Sequence, residues 1–366
     1  MFMNANAWYT YDGSENDIIL SSRVRIARNI SGARFPALLT KDDAEEVYTD
    51  IAAAFQNLST SAAFHAIRYD TMDAIAKKIF EERSILPAEV DPGYAKGVVI
   101  RDDGILSATV NIKDHLRVAA FYAGFEIQRC FSLTKRIVGH LGETIDFCAV
   151  ENFGYLSSDI KNIGSGIKSS ILCSLPGYSL TDRIKKKIEE LTKNNFEVFA
   201  YYAQNTKKLL GYLYLISTKT ALGGNDELQI NHIMTTVRSL IEEERELRQS
   251  LLHNQLWRIQ DMVVKAFCLA KYAQLLDVKE TIELLFKIKL GINLGLIEGL
   301  SNETCVSLLY QTQTAHIAFL LLNGTVEFDE AFPLDELRIE RIRALLVHDA
   351  LKTAELRVQN SLKLNL

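Results

Sequence analysis

The chain has 366 residues, of which 48% are hydrophobic and 24% charged, and its formal net charge is -5 at pH 7. This length exceeds the ~100–200 residues of a typical domain, and the composition excludes a largely disordered chain, so we expect a globular protein of two domains. The acidic balance argues against a nucleic-acid partner. No apolar run reaches the ~18 residues of a membrane span and the N-terminus lacks a signal-peptide pattern, which predicts a cytoplasmic protein without a membrane partner.

The first two thirds of the chain alternate between strand and helix patterns. The stretch "DIILSSRVRIARNI" predicts a strand, "KDDAEEVYTDIAAAF" a helix, and "KGVVIRDDGILSATVNI" a hairpin that turns at "RDDG". Thr181 is the expected N-cap of a helix in "TDRIKKKIEELTKNN", and the stretches "FEVFAYYA" and "GYLYLIS" predict further strands. Together these segments predict an α+β domain.

The last third of the chain has a different pattern. After Asn225 the sequence is helical in period, and only Pro333 of the five prolines falls there. We therefore predict an α+β domain over residues 1–250 and an all-α domain over residues 251–366.

The five cysteines indicate no disulfide framework. Their number is odd and no two form a CxxC pair, which favours buried, reduced thiols over a disulfide or zinc site. We accordingly predict no metal site. The cysteines are Cys130, Cys148, Cys173, Cys268 and Cys305.

Two stretches contain residues suited to binding phosphate. In "SSRVRIARN" the period of two places Arg23 and Arg25 on one strand face, where they could clamp a polyphosphate, although a solvated strand face is the simpler interpretation. In "NIGSGIKSSI" Gly164, Gly166 and Lys168 could bring backbone and charge to a phosphate, but the glycine spacing matches neither a P-loop nor a dinucleotide-binding motif. Each stretch alone is only a weak indication of a phosphate-binding site.

A third stretch, "ATVNIKDHLRVA", passes from alternating apolar residues into a polar cluster. Together with "LPGYSLT" and "IKLGINLGLIEGL", the three stretches stand in the order found in bacterial protein arginine kinases of the McsB type. The chain resembles this family from Trp8 to Leu346, and through it the phosphagen (guanidino) kinases. The resemblance implies an α+β, phosphagen-kinase-like catalytic domain with an antiparallel sheet flanked by helices, followed by a C-terminal all-α domain.

The resemblance also implies ATP with Mg²⁺ as the phosphoryl donor and arginine side chains of proteins as the acceptor. Lys168 stands where the family usually has an arginine, and lysine keeps the charge but loses the bidentate fork. By resemblance, the nucleotide contacts fall on Ser21, Ser22, Arg23, Val24, Arg25, Arg117, Lys168, Ser169, Ser170, Ile171 and Leu172.

The acceptor side departs from the family pattern. The family strand ends Asn-Glu-Glu-Asp-His-Leu-Arg, and here Lys113 replaces the catalytic glutamate. Asp159 replaces a cysteine that contacts the guanidinium, and the loop from Phe199 to Gln204 lacks the family's arginine, glycines and glutamate. Asp159 and Asp114 are candidate surrogate carboxylates, and a Lys113 crowded by arginines could be partly neutral.

In the C-terminal domain, Arg343 is by resemblance the remnant of a phosphoarginine-binding Arg-Asp-x-x-Arg-Ala motif. The substitutions predict a protein-arginine kinase of impaired activity that takes part in protein quality control. The alternative is an inactive pseudokinase that acts as a regulatory or adaptor subunit for a Clp-type protease or a sister kinase. A metabolic guanidino kinase is disfavoured, because the helical third resembles McsB.

The resemblance further implies a set of protein partners. These are protein substrates with arginine side chains, a Clp-type chaperone or protease, an McsA-like activator and a second copy in a homodimer.

Overall fold

The computed structural model describes residues 7–58, 62–200, 210–221, 225–324 and 334–358. The strands are β1 (Ile19–Arg28), β2 (Phe64–Arg68), β3 (Gly97–Arg101), β4 (Leu106–Val110), β5 (Leu116–Ala123), β6 (Ala149–Val150), β7 (Gly154–Tyr155), β8 (Ile167–Ser174), β9 (Phe196–Ala200), β10 (Leu213–Thr218), β11 (Ile297–Glu298) and β12 (Glu355–Leu356). The α-helices are α1 (Lys41–Gln56), α2 (Ala74–Glu82), α3 (Ile127–Leu141), α4 (Pro176–Leu180), α5 (Ile184–Lys193), α6 (Asp226–Asn254), α7 (Leu256–Tyr272), α8 (Val278–Asn293), α9 (Asn302–Gln311), α10 (Thr314–Leu322) and α11 (Asp335–Ala350).

Eight of the strands form one sheet in the order β2-β3-β4-β5-β1-β8-β10-β9. The first strand of the chain, β1, lies inside this sheet and pairs antiparallel with β5 on one side and β8 on the other. The strands from β2 to β5 pair antiparallel in succession. A strand with neighbours on both sides has its backbone hydrogen bonds satisfied, so β1 holds its side chains at fixed positions.

The two faces of the sheet have different surroundings. Helix α3 covers one face at β1, where the Thr134 hydroxyl donates to the Val24 carbonyl at 3.3 Å and the Cys130 thiol contacts the Ser22 carbonyl at 3.3 Å. Val24 and Ile26 are buried on that face. Because side chains alternate along a strand, Arg23 and Arg25 project from the opposite face.

The chain divides into two compact units. The first comprises Met1–Cys173, Ile188–Phe199 and Tyr214–Leu240, and the second comprises Ser174–Lys187, Ala200–Leu213 and Ile241–Leu366. A cluster of buried apolar residues in the second unit includes Val263, Phe267 and Ile288 of α7 and α8. The second unit thus contains two segments from before residue 240 in addition to the helical last third of the chain.

Most of the predicted elements are confirmed. The first predicted strand is β1, the first helix is α1, and the predicted hairpin is β3 and β4 with Gly104 at φ 65° in its turn. The N-cap prediction for Thr181 was wrong. Thr181 instead ends α4, with its hydroxyl donating to the Gly177 carbonyl at 2.7 Å, and α5 begins at Ile184.

The C-terminal third is helical as predicted, with the short β11–β12 pair added. The five cysteines are free thiols, of which Cys130, Cys173 and Cys305 are buried as predicted, while Cys148 is only partly buried and Cys268 is exposed. Within the described ranges no single helix is long and apolar enough to cross a membrane, while the bent pair Asn302–Gln311 and Thr314–Leu322 meets the length and composition criteria jointly.

Gly166 offers a test of how the segment before β8 approaches β1. Its φ is 71°, and a Cβ there would lie 2.5 Å from the Ala27 carbonyl oxygen. We expect Gly166→Ala to destabilise the protein by about 2 kcal/mol or more, because the left-handed backbone and the clash both disfavour alanine. Urea unfolding followed by fluorescence measures the change.

The matched control is Gly139→Ala in α3, where an added Cβ meets nothing within 4 Å. This variant should be neutral or stabilising by up to about 1 kcal/mol, since alanine is the better helix former. Equal stability of the two variants would contradict the close approach at Gly166.

Candidate active site

Four basic side chains lie on one face of three adjacent strands. In the strand register Arg25 of β1 is opposite Lys168 of β8, and Ala27 of β1 is opposite Arg117 of β5. Residues opposite one another project to the same side, so Arg23, Arg25, Arg117 and Lys168 share a face. We call these four residues the cationic face.

The other predicted nucleotide contacts divide between the two faces. Ser21, Ser170 and Leu172 follow the register of the cationic face. The remaining four side chains project to the opposite side, where they are buried, and a ligand on the cationic face would not touch them. They are Ser22, Val24, Ser169 and Ile171.

Arg25 is the least compensated group of the cationic face. Burial, with added repulsion from Arg117 and Arg23, lowers the pKa of Arg25 to about 9, although Asp114 and Asp159 act in the opposite direction. Among the described residues its Nε has no hydrogen-bond partner and is buried. A buried guanidinium nitrogen without an acceptor is costly, so the position is suited to an anionic ligand.

The neighbouring arginines are each held in place. The Arg117 Nε donates to Asp114 Oδ2 at 2.7 Å, and the Arg23 guanidinium lies 4.9 Å from the centre of the Phe121 ring. Phe121 in turn stacks on Trp8 with 5.7 Å between ring centres. These contacts orient the two guanidinium groups before any ligand binds.

Asp114 positions Arg117 from inside the protein. Its Oδ1 accepts hydrogen bonds from Asn29 Nδ2, Ser157 Oγ and the Ser158 backbone at 2.8 to 3.0 Å. Burial alone would raise the pKa of Asp114, but the Arg117 charge and these hydrogen bonds outweigh it and lower the pKa. A fully buried carboxylate with a lowered pKa is a poor proton acceptor, so the geometry disfavours Asp114 as a surrogate base.

His115 of the same polar cluster is also occupied. Its Nδ1 accepts from the Ile30 backbone at 3.0 Å, and its Nε2 lies 2.8 Å from the Arg34 carbonyl. Burial lowers the pKa of His115. Both ring nitrogens therefore serve the structure of the strand end.

Asp159 is the accessible carboxylate near the cationic face. It caps the short 3₁₀ turn Ile160–Asn162, accepting from the Lys161 backbone at 3.0 Å, and it is exposed. Its charge is close enough to Arg25 to raise the pKa of that guanidinium. Asp159 thus combines solvent access with proximity to the place suited to an anion.

The sequence left open a Lys113 that is crowded by arginines and therefore partly neutral. In the structure Lys113 does not lie among the arginines. Its Nζ pairs with Asp91 Oδ2 at 2.6 Å, and 47% of its side chain is exposed. Asp91 also accepts, through its backbone carbonyl, from Lys96. The charge that replaces the family's glutamate is therefore partly neutralised by a carboxylate from another segment.

The glycine turn before β8 has a structural role. Gly164 and Gly166 both have positive φ, and the turn packs against β1. Arg28 stacks over the Tyr155 ring at 3.5 Å and donates to the Ser165 carbonyl at 2.8 Å. Burial lowers the pKa of Arg28 to about 10. Arg28 therefore holds the turn and does not join the cationic face.

Sequence reasoning missed one acidic residue at the site. Glu197 of β9 accepts from Lys168 Nζ at 3.0 Å and from Lys161 Nζ at 2.7 Å. The only signal in the sequence is a single charge within the apolar stretch "FEVFA". Of the predicted loop, Phe199 is exposed at the end of β9, and residues 201–204 lie outside the described residues.

Arg343 lies in the interior of the helical unit. Its guanidinium donates to the carbonyls of Thr312 and Leu276 at 2.7 Å each and to the Thr314 hydroxyl at 3.1 Å. Arg343 is only 2% exposed, and its hydrogen bonds join α11 to the segments that contain Leu276, Thr312 and Thr314. Its geometry is that of a structural arginine, which disfavours the predicted phosphoarginine contact.

Across the described parts of the chain, no group of three His, Cys, Asp or Glu residues could hold a metal ion.

Two family profiles match the chain over most of its length. The ATP:guanido phosphotransferase C-terminal catalytic domain matches residues 46–247, and the protein-arginine kinase McsB C-terminal domain matches residues 257–361. The protein-arginine kinase of Desulforamulus reducens is 32% identical over 85% of this chain and 88% of its own length. The chain belongs to the McsB family of protein-arginine kinases. A further McsB-family relative, from Pelotomaculum thermopropionicum, is 30% identical over 85% of this chain and 88% of its own length.

Solved structures of other guanidino kinases share the fold. A lombricine kinase superposes with a TM-score of 0.58 at 18% identity, covering 67% of this chain and 70% of the other. A duplicated taurocyamine kinase from Schistosoma mansoni gives 0.59 at 18% identity, covering 72% of this chain and 39% of the other. These matches, with the antiparallel sheet and helical C-terminal third, confirm the predicted phosphagen-kinase-like fold for this McsB-family chain.

The buried Asp114–Arg117 pair leads to a prediction about pH. Since the folded pKa of Asp114 lies below its usual value, its ionised form stabilises the fold at neutral pH, and this contribution is lost as the pH falls through the folded pKa, below about 4. Asp114→Asn should cost about 3 kcal/mol at neutral pH, because it leaves Arg117 without its buried partner. Urea unfolding at several pH values measures the cost.

The cost of Asp114→Asn should begin to shrink as the pH falls below about 4, where the carboxyl of the unfolded chain takes up its proton first, and should vanish only below the lower folded pKa. Asp261→Asn, at an exposed ion pair of α7, is the control and should change little at any pH. A cost that stays constant over this range would contradict the electrostatic role of Asp114.

Proposed function

We propose that this McsB-family chain binds ATP on its cationic face and transfers the γ-phosphoryl group to arginine side chains of proteins at a reduced rate. The observation that carries the proposal is the buried Arg25 Nε, which lacks an acceptor among the described residues, beside the exposed Asp159. The first group is suited to phosphate and the second to a guanidinium. Family membership supports both halves of the assignment.

On the donor side, the cationic face fits a polyphosphate. Arg23 and Arg25 project two residues apart from one strand, with Arg117 and Lys168 on the strands beside it. Such an array neutralises phosphate charge and holds the chain of phosphates in one orientation. Mg²⁺, when it accompanies the nucleotide, would add charge neutralisation at the phosphates.

On the acceptor side, Asp159 is the residue we assign to the guanidinium. A guanidinium is a poor nucleophile until a carboxylate orients it and accepts a proton. In the proposed step an arginine nitrogen bonds to the γ-phosphorus, the bond from phosphorus to the bridging oxygen breaks, and ADP leaves. The proton released from the nitrogen passes to Asp159 or to solvent.

We attribute the reduced rate to two effects at position 113, a cation that repels the acceptor and the absence of a carboxylate. A cation ~4 Å from the acceptor at an effective dielectric of ~20 would oppose binding by ~4 kcal/mol. The exposure of Lys113 and its pairing with Asp91 reduce that repulsion, to about 1 kcal/mol by the scale of exposed ion pairs. The larger loss is the missing carboxylate itself, which Asp159 replaces from a different segment.

A second candidate function is a catalytically inactive regulatory or adaptor subunit. It is favoured by the Lys113–Asp91 ion pair, which places a paired cation where the family has its catalytic glutamate. In either function we expect the family's partners, namely arginine-containing proteins, a Clp-type chaperone or protease, an McsA-like activator and a second copy of the chain. We also expect its place of action to be the cytoplasm, in protein quality control.

Nucleotide binding is tested by a single arginine variant. Arg25→Ala should weaken Mg·ATP binding by about ten- to a hundredfold, because a hydrogen bond to a charged group contributes about 1.5–3 kcal/mol. Titration calorimetry gives the Kd, and ATP at 100 times Kd should add ~2.7 kcal/mol of stability in the wild-type protein.

Arg136→Ala is the matched control, because Arg136 is an exposed arginine of α3, the helix that covers the opposite face of the sheet. It should bind ATP as the wild type does. Equal affinity of the Arg25 and Arg136 variants would rule out the cationic face as the phosphate site.

The acceptor side is tested by restoring a carboxylate. Lys113→Glu alone would face Asp91, so we combine it with Asp91→Asn. The double variant should form phosphoarginine at least about tenfold faster on an arginine-rich protein, since a second acceptor carboxylate becomes available. Mass spectrometry under conditions that preserve phosphoarginine measures the product.

Lys113→Met with Asp91→Asn is the control that removes the cation without adding a carboxylate, and it should give a smaller gain. Asp159→Asn should reduce the remaining wild-type activity. Product from neither the wild type nor the restored variant would favour the regulatory subunit instead.

A further inference from the structure

Glu197 links the donor side of the site to the acceptor side. Its two carboxylate oxygens are divided between two lysines, with Oε2 accepting from Lys168 and Oε1 from Lys161. Lys168 belongs to the cationic face, whereas Lys161 lies in the turn that Asp159 caps. The Glu197 side chain is 17% exposed, so these ion pairs are only partly screened by solvent.

The two carboxylates that pair with the cationic face differ in how firmly they are held. Asp114 accepts from two side-chain donors and a backbone N–H in addition to Arg117, so several bonds must break before it can move. The bonds of Glu197 are to lysine ammonium groups at the ends of flexible side chains, which move readily. The pair between Glu197 and Lys168 is therefore the exchangeable one.

A phosphate on the cationic face and Glu197 both require the Lys168 ammonium group. Exchange is feasible because Lys161 keeps Glu197 paired at Oε1 when Lys168 turns to a phosphate. Without Lys161, the loss of Lys168 would leave a partly buried carboxylate with no cation from the described residues. The pairing of Glu197 with Lys161 thus allows Lys168 to leave Glu197 at a moderate cost in free energy.

We propose that Glu197 is a built-in competitor of the nucleotide phosphates for Lys168 and sets the affinity of the site for ATP, with Lys161 as the partner that makes the competition reversible. This inference rests on the proposed ATP binding but not on phosphoryl transfer. It assigns roles to Glu197 and Lys161 that the sequence motifs did not indicate.

The test compares Mg·ATP affinities by titration calorimetry. Glu197→Gln keeps the shape of the side chain and removes its charge, so it should lower the Kd for ATP by about tenfold, since a nearby negative charge no longer opposes the phosphates. Glu189→Gln, an exposed glutamate of α5, is the matched control for the change in net charge and should leave the Kd unchanged.

A second variant acts in the opposite direction. Lys161→Met leaves Glu197 with Lys168 as its cation, so the competition should strengthen and the Kd for ATP should rise several-fold. In the double variant Glu197→Gln with Lys161→Met, the effect of Lys161→Met should be largely lost, because the competitor is absent. Thermal unfolding of each variant without nucleotide verifies that it is folded.

The outcomes separate this inference from the proposed function. Wild-type binding of ATP with an unchanged or higher Kd in Glu197→Gln would overturn the role of Glu197 and leave ATP binding intact. Tighter binding by Glu197→Gln supports the inference whether or not phosphoarginine is formed. Absence of ATP binding in both proteins would overturn the proposed donor site and, with it, the competition.

Discussion

The structure of the site depends on keeping several positive charges side by side on one sheet face. Arg23 and Arg25 project from β1, which is hydrogen-bonded on both edges and cannot shift to relieve their repulsion. The buried carboxylate of Asp114 offsets part of this charge through Arg117, and Glu197 offsets another part through Lys168. Arg25 receives no such direct pairing from the described residues, and burial together with repulsion from Arg117 and Arg23 lowers its pKa. The surplus of positive charge suits the face to an anion, which is the basis of the proposed ATP binding.

The same arrangement explains why the polar cluster after β4 is mostly structural. Asp114 and His115 sit below the surface and satisfy backbone and side-chain partners from distant segments. They hold the end of β5 against the loop that contains Ser157 and Ser158, and so fix Arg117. Lys113 alone turns outward, toward Asp91. The outward position of Lys113 therefore leaves the contacts that orient Arg117 intact.

The positive charge of Lys113 is moderated by its surroundings. An unpaired cation would be costly if it were buried, but Lys113 is half exposed and paired with Asp91. Asp159, the carboxylate we assign to the acceptor, caps a turn and is exposed. Lys161 of this turn pairs with Glu197, and Glu197 also pairs with Lys168 of the cationic face. The Asp159 turn and the cationic face are thus connected by ion pairs between separate segments.

Much of the fold and part of the site were determined by the sequence alone. The spacing of apolar residues predicted β1, α1, the β3–β4 hairpin and the helical last third. It could do so because burying one face of a strand or helix requires apolar residues at regular intervals, which are visible in the local sequence. The same period placed Arg23 and Arg25 on one face. Only the tertiary structure decided that Ser22 and Val24 face α3, that Arg343 is interior, and that Asp91 and Glu197 pair with lysines far away in sequence. Such pairings depend on which strands and loops become neighbours, and a single sequence does not record partners that are distant along the chain.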